Sequence, residues 1–328
     1  MINFAVLGTS KITDTFIDAA KQDARFHLAG VYSRQSTTAK AFASKYNIEH
    51  CFTDLNLLAN SDAIDAVYIA SPNSFHAQQS VMMLNAGKHV LCEKPVAINC
   101  QELMKMTAAA KVNNVAFMEA MLVPFLPNYK QIKKYIKALG QITKFSASFC
   151  QLSSKYSLYL QGENPNTFNL AFGNGSLMDI GIYPLYLAID LFGIPDNVSS
   201  QCYKLPSGVD GYGDVLLTYK TPQVQVHVSH SKLSHGVNIG ELQGENGYLT
   251  WRHSSLFNEV HLHLNDGSCQ NLTLAQNENR MTYELSHFID LIECGEIESK
   301  INCWQLSQQV LSVIEQVRKQ QKIIYPEG

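Results

Sequence analysis

Phe4-Ala5-Val6-Leu7-Gly8-Thr9-Ser10-Lys11-Ile12-Thr13 opens on four apolar residues and passes through one glycine into a segment with Ile12, Phe16 and Ala20 at helical spacing. A short continuous apolar run closed by glycine reads as a strand buried on both faces. The unit then repeats. Residues 27–32, 66–70, 89–92 and 116–118 read as further strands, and residues 37–46, 76–86 and 101–112 as helices, with Gly87 closing the second of these. Strand–helix alternation with short links predicts a parallel sheet covered on both faces. Ligands of such sheets bind at the carboxyl ends of the strands.

Beyond about residue 122 the rhythm changes. Helical spacing continues over residues 129–139, and then period-two patterns take over. Phe145, Ala147 and Phe149 alternate with Lys144, Ser146 and Ser148; Val224, Val226 and Val228 with Gln225, His227 and Ser229; Val260, Leu262 and Leu264 with Glu259, His261 and His263. Such alternation predicts a mostly antiparallel sheet with one buried and one polar face. Met281, Leu285, Phe288, Ile289 and Ile292 mark a late amphipathic helix, and Val310, Ile314 and Val317 another. The expected division is 1–121 for an α/β domain built on the parallel sheet and 122–328 for an α+β domain, with a C-terminal helix packing back on the first.

The bulk numbers exclude several function classes. The chain has 328 residues, 46% hydrophobic and 16% charged, enough for two ordinary globular domains. With a net charge of −3 and no basic stripe, neither nucleic acid nor an anionic membrane is expected as the main partner. The apolar N-terminus is too short for a signal peptide and lacks a basic lead-in, and no stretch reads as long enough to span a bilayer. Eight scattered cysteines without a Cys-x-x-Cys pair read as reduced thiols of a cytoplasmic protein. His261 and His263 share a strand face, but no carboxylate or cysteine completes a ligand set with them and His227, so no metal is expected.

The turn Gly8-Thr9-Ser10-Lys11-Ile12 occupies the place of a Gly-x-Gly-x-x-Gly fingerprint and keeps its first glycine. Ser10 is small enough for a pyrophosphate to approach the backbone, and Thr13 packs where the third glycine would stand. The following helix N-terminus offers amide donors to phosphate. The same turn also serves a strand–helix connection without a ligand. The second strand runs into Ser33-Arg34, where NAD-specific sites place an acid; a hydroxyl and an arginine favour the 2′-phosphate of NADP, with NAD as the other possibility. Ser71, Pro72, Asn73 and His76 end the third strand, and Asn73 and His76 are candidates to face the nicotinamide and its ribose; His76 bonded to backbone is the alternative.

The chemistry concentrates in two runs. Glu93-Lys94-Pro95 ends a strand, and Gly175-Ser176-Leu177-Met178-Asp179-Ile180-Gly181-Ile182-Tyr183-Pro184 starts a helix carrying an acid and, four residues on, a phenol. Positions four apart share a helix face. Lysine, carboxylate and phenol directed at one substrate oxygen form a proton-transfer set beside a carbonyl or alcohol. An ammonium near a phenol favours the phenolate and also stabilises a developing alkoxide. Asp179 would orient Lys94 or a substrate hydroxyl; as a helix-capping acid it would instead satisfy backbone amides, and Tyr183 would otherwise be a packing residue beside Tyr186.

On these motifs, together with Ile69-Ala70-Ser71-Pro72-Asn73-Ser74-Phe75-His76 and Met118-Glu119-Ala120, the chain resembles the Gfo/Idh/MocA oxidoreductases over nearly its whole length. The resemblance implies a Rossmann domain and an open-faced sheet domain paired sheet to sheet in homodimers or homotetramers. It implies hydride transfer between NAD(P) and sugars, polyols or related hydroxy compounds. Tyr183, where many members carry histidine, looks like the dihydrodiol dehydrogenase and NADP-dependent D-xylose dehydrogenase branch. Glu119-Ala120 is followed by Met121-Leu122-Val123-Pro124 rather than by that branch's aromatic residue and arginine, and residues 153–172 lack arginine, which suits the pocket less to anions.

The function expected is therefore an NADP-dependent oxidoreductase of a sugar, polyol or vicinal diol. Lys94, Asp179 and Tyr183 are its catalytic set; Gly8, Thr9, Ser10, Lys11, Ile12, Ser33, Arg34, Ser71, Pro72, Asn73, His76, Glu93 and Lys94 are its cofactor contacts. A non-catalytic NADP-binding sensor on the same fold is the alternative. Tyr203, Tyr219 and Trp251 are candidates for an apolar patch that a second copy covers.

Overall fold

The computed structural model describes residues 1–326. The chain divides into two units: Met1–Leu122 with Asn277–Ser307, and Val123–Gln276 with the chain from Gln308 onward.

The first unit runs β1 (Ile2–Leu7), α1 (Lys11–Ala20), β2 (Phe26–Tyr32), α2 (Ser36–Tyr46), β3 (His50–Phe52), α3 (Leu55–Ala59), β4 (Ala66–Ile69), α4 (His76–Asn85), β5 (His89–Glu93), α5 (Cys100–Asn113) and β6 (Phe117–Ala120). Its six strands pair in parallel in the order β3-β2-β1-β4-β5-β6. The order reverses between β1 and β4, which opens a crevice at their carboxyl ends. β4, a continuous apolar run, is buried at every position, and so is β6, with Glu119 as its one charged residue. β3 escaped the sequence reading because three residues carry no measurable period.

The second unit runs α6 (Pro127–Tyr135), β7 (Ile142–Cys150), α7 (Tyr156–Leu160), α8 (Ile182–Phe192), β8 (Asn197–Lys204), β9 (Asp210–Lys220), β10 (Gln223–Ser231), β11 (Ile239–Gly244), β12 (Gly247–Arg252), β13 (Asn258–Leu264) and β14 (Cys269–Asn271). The eight strands form one sheet, β14-β13-β12-β11-β7-β10-β9-β8, antiparallel except where β7 lies parallel to β10. Phe145, Ala147, Val215, Leu217, Val226 and Val228 fill the face covered by α8. On the other face Tyr203, Tyr212, Leu216 and Tyr248 are exposed.

Two expectations need correction here. Tyr219 and Trp251 are not part of an exposed patch: each keeps the parity of its buried neighbours, Leu217 and Leu249, and both lie in the core, whereas Tyr203 stacks on Tyr212 at the surface with ring centroids 5.3 Å apart. The helical run Leu170–Phe192, 23 residues, is long and apolar enough to cross a membrane by length and composition, contrary to the expectation that no stretch is. Its apolar window is 72% buried within the protein, which makes it a core helix.

α9 (Met281–Cys294) belongs to the first unit and packs on α1. Phe288 meets the Phe4 ring at 6.2 Å, and Arg25 donates to Asp290 at 2.7 Å and Glu293 at 2.8 Å. α10 (Trp304–Gln320) ends in the second unit, where Gln320 accepts from Ser200 Oγ on β8 at 2.6 Å.

Candidate active site

In the first unit, β1 delivers the chain into Gly8 at a φ of 109°, a conformation side chains rarely adopt. A Cβ there would lie 2.6 Å from the Ala70 carbonyl oxygen at the end of β4. The turn is thus wedged into the switch point, and glycine is the residue that fits. Thr9 is half-buried, Ser10 and Lys11 are exposed, and Ser10 precedes α1 without capping it through its side chain. The amide donors of the first helical turn therefore face outward beside a bare backbone, which fits a dinucleotide pyrophosphate. Ile12 is 41% exposed, and Thr13 is fully buried beneath it. Ser33 and Arg34 follow β2; Arg34 is exposed and its guanidinium lies 5.9 Å from the Phe75 ring.

Two of the expected cofactor contacts have other work. His76 is buried, and its ring nitrogens lie 2.9 Å from the Pro95 carbonyl and 2.8 Å from the Ser71 carbonyl. Burial pushes its pKa down while the two carbonyls pull it up, and the ring bridges the Ser71 and Pro95 backbones. Glu93 turns inward as well: its carboxyl accepts from Tyr68 Oη at 2.5 Å and from the Lys94 amide at 3.2 Å. Ser71 Oγ donates to Gln79 at 2.7 Å, Pro72 continues the chain away from the sheet, and Asn73 is buried behind it. The outcome is one selective exposure. Across residues 90–98 every side chain is buried except Lys94.

The second unit shows the same selectivity. Across residues 175–189 every residue is buried except Asp179 and Tyr183. A π-helical turn, Leu177–Gly181, carries the acid and leads into α8, which carries the phenol; such turns recur at functional sites. Gly175 and Gly181 let this turn sit directly on the sheet: a Cβ at the first would lie 2.2 Å from Asp210 Oδ1, and at the second 2.9 Å from the His230 ring. Asp210 accepts from the Leu177 amide at 2.6 Å, and His230 bonds Ser176 Oγ at 2.9 Å. Lys232, buried just past β10, donates to Asp179. The Tyr183 ring packs 5.6 Å from Phe149 on β7.

Residues 2–121 match the family described as an oxidoreductase family with an NAD-binding Rossmann fold, and residues 129–250 match the GFO/IDH/MocA C-terminal domain. The chain belongs to the Gfo/Idh/MocA oxidoreductases. It is 43% identical over 326 residues to scyllo-inositol 2-dehydrogenase (NADP(+)) IolU of Bacillus subtilis, covering 99% of each chain. To a trans-1,2-dihydrobenzene-1,2-diol dehydrogenase of Xenopus tropicalis it is 25% identical, covering 98% of this chain and 99% of that one. Among solved structures the fold is shared with an aldose–aldose oxidoreductase of Caulobacter crescentus, at a TM-score of 0.85, 22% identity and coverage of 97% and 96%. It is also shared with the 3-ketoreductase KijD10 of Actinomadura kijaniata complexed with NADP, at a TM-score of 0.81, 22% identity and 97% coverage of each chain. Membership makes this Gfo/Idh/MocA protein an NAD(P)-dependent oxidoreductase acting on CH–OH groups.

Sequence reasoning missed Ser176, Asp210, His230 and Lys232. A signal for two of them was present. Val224, Val226 and Val228 set the buried parity of β10, and continuing it lands on His230 and Lys232. Polar residues at core-face positions mark a satisfied network or a site. The histidines weighed as metal ligands sit elsewhere: His227 bonds Asp214 at 2.9 Å, and His263 stacks on Tyr248. Among the described residues no group of three or more His, Cys, Asp or Glu is placed to hold a metal ion.

A buried acidic cluster lies in the first unit. Glu119 accepts from the Val96 amide at 3.0 Å and from Ser307 Oγ at 2.6 Å, while Glu284 on α9 is fully buried with neither carboxyl oxygen hydrogen-bonded. Burial, then the charges of Glu93 and Glu119, hold the Glu284 carboxyl well above the ordinary glutamate value of 4.5. The folded protein therefore keeps a proton that the unfolded chain releases. The associated stability is complete below that ordinary value and is lost as pH rises toward the folded one. Glu284→Gln cannot ionise and escapes this loss. Its urea midpoint relative to wild type should rise between about pH 5 and pH 8; a difference independent of pH would contradict the assignment.

Proposed function

We propose that this chain oxidises a secondary alcohol of a polyol, sugar or vicinal diol with NADP, or runs the reverse reduction. Lys94, Asp179 and Tyr183 act on one substrate oxygen. The observation that carries the reading is selective exposure: within their two segments these three side chains alone keep access, and their chemistries are the ones a proton-transfer set needs. NADP, when bound, supplies the hydride acceptor or donor. Tyr183 takes the hydroxyl proton during oxidation and returns it during reduction. Lys94 holds the substrate oxygen as negative charge builds on it and favours the phenolate of Tyr183. Asp179 fixes a substrate hydroxyl or the lysine. The similarity to an NADP-dependent inositol dehydrogenase supports a cyclic polyol as substrate.

The experiment incubates the protein with NADP and a panel of inositols, aldoses and diols and follows reduced-nicotinamide absorbance. Turnover on a polyol or sugar is expected. Tight NADP binding with no turnover across the panel would establish a sensor instead. Arg34 is assigned to the 2′-phosphate, so Arg34→Ala should raise KM for NADP roughly tenfold or more while leaving KM for NAD unchanged. Equal losses with both cofactors would remove that assignment.

We infer also a homodimer through the open sheet face, on which Tyr203, Tyr212, Leu216 and Tyr248 lie exposed together. Sedimentation at micromolar concentration should give a two-chain particle or a multiple of it, and Leu216→Glu should shift it toward one chain; a wild-type monomer would end the idea. Eight free cysteines suit a reducing compartment, and the cytoplasm is the location inferred.

A further inference from the structure

Lys232 has no role in the reaction as derived so far. It is 8% exposed, one residue beyond β10, and its main chain is pinned on both sides: its amide donates to the Gly211 carbonyl at 2.8 Å, and its own carbonyl accepts from the Ser153 amide at 2.9 Å. Next to it, Leu233 packs against the small core of Phe168, Leu205 and Val209. The ammonium of this immobilised residue meets Asp179, whose side chain keeps 31% exposure. A buried lysine is retained where a charge partner compensates its desolvation. The partner here is the acid of the proposed catalytic set.

The surroundings of Asp179 bear on what this ammonium does. Tyr183 lies on the helix that follows, Asp210 on β9, and His230 and Lys232 on or just past β10; β7 presents Phe149, with His253 against that ring at 4.5 Å. Burial pushes the His230 pKa down, so the imidazole is neutral at physiological pH. Asp210 is spent on the Leu177 amide and lies 3.8 Å from His230. From the strands beneath the turn, Lys232 therefore supplies the positive charge that faces Asp179.

We propose that Lys232 is a positioning residue, which holds the Asp179 carboxylate in a fixed direction and compensates its charge at the surface where Tyr183 emerges. An uncompensated carboxylate four residues from the phenol disfavours the phenolate needed for alcohol oxidation. With Lys232 in place, the acid can orient a substrate hydroxyl without that cost. This inference rests on the acid–base reading of Tyr183 given above.

The test compares Lys232→Met, Lys232→Arg, Asp179→Asn and the pair Lys232→Met with Asp179→Asn, each as the whole chain with NADP and the polyol identified by the panel. Lys232→Met should lower kcat roughly 10- to 100-fold with NADP binding unchanged, as misplacement of a catalytic group does. Its kcat/KM profile for oxidation should move to higher pH. Lys232→Arg, which keeps the charge, should recover most of the rate, and removing both charges should return the profile toward wild type. A Lys232→Met enzyme with the wild-type profile, or an alkaline shift that persists when Asp179 is also neutral, overturns the proposal. If Lys232→Met does not fold, Lys232→Gln takes its place. Tyr183→Phe separates the two readings: if that enzyme keeps turnover, the acid–base assignment falls first, whereas an inactive Tyr183→Phe beside a wild-type Lys232→Met removes Lys232 alone. Should no polyol turn over, urea midpoints of the single and double variants still decide. Losses that simply add show no coupling and sink the pair, and a double variant less damaged than the sum supports it.

Discussion

Tyr183→Phe is expected to lower kcat for polyol oxidation by roughly 10²- to 10⁴-fold, the usual worth of a positioned acid–base group. The substitution removes one oxygen and keeps the ring. The ring is what packs on Phe149, 5.6 Å away, and the neighbours of Tyr183 on α8, Ile182 and Leu185, are buried independently of it. Folding and NADP binding should therefore match wild type, which calorimetric titration with NADP and thermal unfolding can establish. The loss should sit in kcat, because the proton moves as the substrate reacts rather than as it binds. A Tyr183→Phe enzyme within a factor of two of wild type would require another proton acceptor.

Lys94→Ala should cost roughly 10²- to 10³-fold in kcat, comparable with deleting one donor to a developing oxyanion. The reason to expect a clean loss is architectural. The loop around Lys94 is held by other groups: Glu93 by Tyr68, Pro95 by His76 and Val96 by Glu119. Truncating the one accessible side chain leaves those bonds in place. On the proposed reading the variant should also need higher pH for oxidation, since it lacks the ammonium assigned to favour the phenolate. Rapid-mixing kinetics and a pH profile measure both effects. An unchanged profile with reduced kcat would restrict Lys94 to holding the substrate oxygen.

Much of this protein was legible one segment at a time. The apolar runs of β1, β4 and β5 and the alternation in β7 and β10 are properties of neighbouring residues, so the two kinds of sheet could be read directly. β3 could not, being three residues long, and nothing local specifies that β7 and β10 run parallel in an otherwise antiparallel sheet. Lys94, Asp179 and Tyr183, the residues proposed for the chemistry, were visible because charged and phenolic groups break apolar patterns at element ends.

What the sequence by itself determined was the type of each layer and the identity of the groups with chemistry to offer. What the tertiary structure decided was which polar groups hold the scaffold and which stay accessible. His76 and Glu93, read from the sequence as ligand contacts, are held by internal hydrogen bonds, while Lys232, unremarked in the sequence, faces Asp179. The physical reason is range. Period and propensity act over a few residues, whereas a buried polar group must find its partner wherever folding brings one: 19 residues away for His76 and Pro95, 53 for Lys232 and Asp179.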